Sequence, residues 1–193
     1  MPRILRVTAC LLASGLIVAG CGDDATGPGG ILPDDYSLGW GREIADGVRD
    51  SEYPEGYLYM ISCIDVNDSG EPETAISWQF NYGAPGDSNN VLIVIVQYIG
   101  TTNTLWESDP TVPDGELPDY DDAGPWVEAA REQLGSQYGD WEEYALLVKG
   151  NDYSQFPWVL NVAVLQFMLP DTTEQMTAVI DADTDSVLVV FNY

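Results

Sequence analysis

Short apolar runs rich in β-branched residues, separated by Asn, Asp, Ser and Gly, follow a helical segment twice along this chain, in the same order. In the first series Tyr57–Val66 leads through Asn67-Asp68-Ser69-Gly70 to Ala75–Tyr82, and Asp87-Ser88-Asn89-Asn90 precedes Val91–Ile99. In the second, Glu143–Lys149 meets a turn at Asn151-Asp152 and then Trp158–Leu169. Pro170–Glu174, Met176–Asp181, the turn Asp183-Thr184-Asp185-Ser186 and Val187–Tyr193 complete it. Runs of this length with such turn residues between them pair as antiparallel neighbours.

The segment ahead of each series has helical spacing. Trp40, Ile44, Ala45 and Val48 recur at about 3.6 residues within 37–49, although Gly39, Gly41 and Gly47 weaken the pattern. Over 121–135, Asp121 or Asp122 can cap, Pro125 suits the first turn, and Trp126, Val127, Ala130 and Leu134 share one face that Gly135 ends. Corresponding features lie 80 to 85 residues apart: Ile44-Ala45 with Ala129-Ala130, Asn67-Asp68 with Asn151-Asp152, and Trp78 with Trp158. The expected fold is therefore α+β, as two tandem repeats, each a helix packed on a small antiparallel sheet of three or four strands. The other reading is a single α+β domain whose order coincides. Residues 36–106 would form the first repeat and 121–193 the second, joined by an acidic, proline-rich linker over 107–120.

The N-terminus has a processing pattern. Arg3 and Arg6 precede an apolar stretch from Val7 to Val18, shorter than the roughly 20 residues that a spanning helix needs. It ends in Val18-Ala19-Gly20-Cys21, which resembles the lipobox of bacterial lipoproteins. That resemblance implies a signal peptide over 1–20, cleavage before Cys21, diacylglycerol on its thiol and an extracytoplasmic protein held on the membrane by lipid. Gly22 stands where inner-membrane lipoproteins of proteobacteria usually carry Asp, so the outer membrane is favoured in an organism that has one. An ordinary secretory signal is the alternative. Residues 21–35, rich in Gly, Asp and Pro, read as a flexible tether.

Charge narrows the partners. All 32 acids lie after Cys21, against Arg42, Arg49, Arg131 and Lys149, so the processed chain carries −28. Phosphate backbones need a basic footprint, which excludes nucleic acid. Solubility in a salty habitat is the plain explanation, and a cation or a basic protein partner the sharper one.

Catalytic machinery is scarce. The chain has no histidine, which removes Ser-His and Cys-His nucleophiles and His-ligated metals. Cys63 lies in an apolar run and reads as a buried thiol. A carboxylate-dependent hydrolase would need two acids at a defined separation, and no pair stands out among the 32. The chain is therefore expected not to be an enzyme, and no cofactor is required. Two segments have partial calcium-loop spacing: Asp65 and Asn67 ahead of Gly70, and Asp181, Asp183 and Asp185. Neither has the closing acid of an EF-hand, and turn geometry accounts for the same residues. Calcium or a small ligand at these acidic turns is the alternative function.

Ile180-Asp181-Ala182-Asp183-Thr184 with Val187-Leu188 resembles the closing hairpin of PepSY-type domains, with Asp185 where that family prefers glycine. The resemblance implies a small α+β unit that binds proteins or inhibits a peptidase and has no catalytic residues. Among the aromatics, Trp126 and Trp158 read as core, while Trp106 and Trp141 are the candidates for an exposed platform. The expectation is a lipid-anchored envelope protein that acts as a non-enzymatic interaction or inhibitory module for an unknown protein partner.

Overall fold

The computed structural model describes residues 36–72, 78–84, 87–97, 100–107, 115–134, 143–168 and 175–192. Cys21, the tether and Trp141 lie outside the described residues. Helix α1 (Leu38–Glu52) is followed by β1 (Tyr57–Cys63), β2 (Trp78–Ala84), β3 (Asp87–Gln97) and β4 (Gly100–Glu107). Helix α2 (Gly124–Leu134) is followed by β5 (Glu143–Gly150), β6 (Asn161–Met168), β7 (Gln175–Asp181) and β8 (Ser186–Asn192).

The strands form one sheet in the order β4-β3-β2-β1-β5-β6-β7-β8, antiparallel throughout. This differs from the expectation of two small sheets. Each meander of four strands on its own would leave a first strand with unpaired N–H and C=O groups. Pairing β1 with β5, with Ile61 opposite Val148 and Ser62 opposite Leu147, satisfies both edges at once.

Helix α1 packs on β2 and β3, and α2 on β6, β7 and β8. Ser37 caps α1 by accepting from the Trp40 N–H at 3.3 Å. Gly41, which weakened the helical pattern, is explained by contact. A Cβ there would sit 2.7 Å from Cδ1 of the fully buried Trp78, so glycine lets the helix lie close on β2. In α2 the Asp122 carboxylate accepts from the Gly124 N–H at 2.8 Å, and Trp126, Val127, Ala130 and Leu134 are buried as the spacing requires. Both helix faces and the sheet beneath them belong to one apolar core, from Leu38 and Trp78 to Leu165 and Ile180.

The described end of the acidic linker, 115–120, lies against this body. Leu117 is buried and its N–H donates to the Leu58 carbonyl at 2.8 Å. The Arg42 guanidinium, itself buried, donates to the Pro118 carbonyl and pairs with Asp119 and Asp46. Among the described residues no helix is long and apolar enough to cross a membrane.

Candidate functional site

Both helices lie on one side of the sheet, and among the described residues no helix covers its second face. The register defines its rows, because residues directly opposed in an antiparallel pair point to the same side. One row runs Thr104, Ile93, Asn81, Met60, Lys149, Val162 and Asp181. The next runs Thr102, Ile95, Gln79, Ser62, Leu147, Val164, Val179 and Val189. Across fifteen positions these rows hold one carboxylate, Asp181 at a strand end, in a chain with 32 acids. On β2 the face is polar and neutral, with Gln79 donating to the Asn81 side chain at 3.0 Å, while β5 contributes Lys149, paired with Asp152. Asn81 also hydrogen-bonds Tyr59, whose pKa is raised chiefly by burial.

The second half of this face is not bare. Val162, Val164 and Val179 form a separate cluster with Val159, joined by Tyr153 and Phe156 of the loop 151–160. Asn151 holds that loop. Its Nδ2 donates to the carbonyls of Phe156 at 2.7 Å and Val159 at 3.0 Å, and its Oδ1 accepts from the Tyr153 N–H at 2.8 Å. Its own N–H donates to the Leu160 carbonyl. Trp158 was expected in a strand and in the core, and the structure corrects this. Strand β6 begins only at Asn161, and Trp158 is 71% exposed, edge-on to Phe156 with ring centroids 5.9 Å apart. Leu160 is 76% exposed. Sequence pattern missed the site because an apolar run says nothing of where the backbone leaves the ladder; Pro157 was the only available signal.

The five candidate calcium residues divide between two turns. In the first, the Asn67 Oδ1 accepts from the N–H groups of Ser69 at 2.9 Å and Glu71 at 3.0 Å, so the side chain closes the turn. Gly70 has φ +79° and sits against the backbone of Ala123 and Gly124 at the start of α2. Asp65 supplies its carbonyl to the Cys63 thiol at 3.5 Å. In the second turn, the Asp181 carboxylate accepts from the Asp183 N–H at 3.1 Å, and Asp183 accepts from the Tyr120 hydroxyl at 2.7 Å and from Asn161 Nδ2 at 3.3 Å. Asp185 has φ +57°, the left-handed conformation that glycine adopts most easily. Tyr120 is held above its ordinary pKa by burial, then by its bond to Asp183. Among the described residues no group of three Cys, Asp or Glu side chains gathers as a metal site.

Two further polar groups belong to the core. Burial pushes the Cys63 thiol up to about 12, a protonated and unreactive state at neutral pH. Beneath α1 the Tyr82 hydroxyl donates to Asp46 at 2.9 Å, and Arg42 and Arg49 pair with the same carboxylate. Burial first, and then Asp46, raises the Tyr82 pKa. Among the described residues every buried side-chain N or O has a hydrogen-bond partner, so the interior is a satisfied scaffold.

No protein-family model matches the chain, and no curated protein does either. A solved structure of a proposed lipoprotein from Clostridium difficile 630 is similar to it, with a TM-score of 0.51 and 13% identity over 82% of this chain and 100% of that one. At that identity the likeness is one of fold.

Proposed function

We propose that this chain is a lipid-anchored, extracytoplasmic binding protein that receives a partner protein on the helix-free face of its sheet and performs no catalysis. The observation that carries this reading is the character of that face. A chain with 32 acids keeps them almost entirely off two rows that cross the sheet, leaving Ile93, Ile95 and Met60 beside the amides of Gln79 and Asn81, with Lys149 as the single base. Protein interfaces are depleted of charge at their centres in the same way. The lipobox at Val18–Cys21 supports the anchor, and so does the proposed lipoprotein whose fold is similar. Gly22 favours the outer membrane where one exists. The order of one helix and four strands, met twice about the β1–β5 junction, supports a tandem duplication. The closing hairpin with its left-handed Asp185 supports the PepSY-like reading of the second half.

Two measurements test it. Cys21→Ala should leave the chain unprocessed or move it to the soluble fraction, and unchanged membrane attachment would refute the lipid anchor. A photo-crosslinking residue at Ile93 or Ile95 of the full chain, in the cells that make it, should give a protein adduct. If the label at both positions reports only solvent, the sheet face is not a docking surface.

A further inference from the structure

Among the described residues, four large apolar side chains are exposed, and two of them, Trp158 and Leu160, stand two residues apart on the loop 151–160. They are not on a slack segment. Tyr153, Phe156 and Val159 pin one side of the loop to the sheet, and Asn151 ties its backbone at four points. Ordering such a loop on binding costs little, because the fold has already fixed it. A tryptophan and a leucine presented in this way match the anchors that dominate protein interfaces.

The surroundings say what they would meet. Asp152, within the loop, is two-thirds exposed and pairs with Lys149 at 2.6 Å. The neighbour of Leu160 in the chain, Asn161, bonds Asp183 of the 181–185 turn, which brings three more carboxylates to this end of the sheet. We infer that Trp158 and Leu160 insert into an apolar pocket of a partner protein whose rim carries Lys or Arg. This rests on the binding-protein reading above and names its partner's chemistry. An anionic bilayer surface would face those carboxylates and repel them. A second copy would set the same carboxylates against each other at −28 per chain. A basic rim turns the same charges into attraction that speeds and orients encounter.

The test places a photo-crosslinking residue at position 158 of the full chain, in the producing cells, and identifies the adduct by mass. The expected product is a protein adduct. Its purified partner should bind the chain at least about 30-fold more weakly after Trp158→Ala, the threshold of a strong interface anchor. Raising the salt should weaken binding further, as screening of exposed charges requires. Trp158→Ala should leave the melting temperature unchanged, because the side chain is outside the core. A lipid adduct, an adduct with a second copy, no adduct, or a pair indifferent to Trp158→Ala or to salt would each overturn the inference. Adducts at Ile93 or Ile95 with none at 158 would sink the role of the 151–160 loop and leave the binding protein standing. Silence at all three positions would sink both.

Discussion

Replacing Gly70 by alanine should destabilise the protein through two separable effects. The residue has φ +79°, where an L side chain costs roughly 1 to 2 kcal/mol. A Cβ there would also press into the backbone at the start of α2, with Gly124 Cα at 2.7 Å. Backbone cannot swing aside as a side-chain tip can, so the 67–71 turn and α2 must separate, at about 1 to 3 kcal/mol by analogy with overpacked cores. The sum is about 2 to 4 kcal/mol. For a body of this size each kcal/mol moves the melting temperature by roughly 2 to 4 °C, so a fall of about 5 to 15 °C is expected. Gly47→Ala is the control. It makes the same chemical change at an exposed helical position where nothing lies within 4 Å of the new Cβ. It should stabilise by about 0.5 to 1 kcal/mol. Urea unfolding followed by circular dichroism, with equal m-values checked, reads both variants. Amide exchange at Trp126 and Val127, whose N–H groups bond the Ala123 carbonyl, should quicken in Gly70→Ala alone. If Gly70→Ala is as stable as the parent, or gains stability as Gly47→Ala does, the close approach of the turn to α2 is wrong.

Three further outcomes are expected. The Cys63 thiol has its pKa raised by burial from 9.0 to about 12, so its contribution to stability is complete below pH 9 and is lost between pH 9 and 12. The native chain at pH 9 should therefore resist iodoacetamide at Cys63, located by peptide mass, while the unfolded chain reacts; rapid native labelling would contradict the burial. Trp126→Ala should cost about 3 to 5 kcal/mol in chemical denaturation, because it empties a buried site and removes the indole N–H bond to the Ala182 carbonyl at 3.2 Å. Asp185→Gly should raise stability by about 0.5 kcal/mol, less than the full left-handed penalty because glycine also frees the unfolded chain. A loss there would mean that the Asp185 side chain holds the turn.

Much of the secondary structure was legible because the relevant forces are local. Turn residues at Asn67–Gly70 and Asp183–Ser186, β-branched runs, and the apolar stripe of α2 each express a preference of a few neighbouring residues. Strand β4 escaped for the same reason. Its sequence GTTNTLWE has no alternation of apolar and polar residues, and residues 101–105 are exposed, so only threonine's β propensity marks it. The acidic stretch before α2 read as a linker because its composition is polar, yet the single Leu117 docks its described end on β1.

The sequence by itself therefore determined the alternation of one helix with its strands, the turns between them, the lone core thiol and a strongly acidic net charge. Only the tertiary structure decided that the two sets of strands share one sheet, because the β1–β5 pairing joins segments some 86 residues apart and leaves no local trace. It also decided that both described helices land on the same side of that sheet, and that Trp158 leaves the core. Which side of a strand is covered depends on where the helices land, and that is settled by packing between distant parts of the chain.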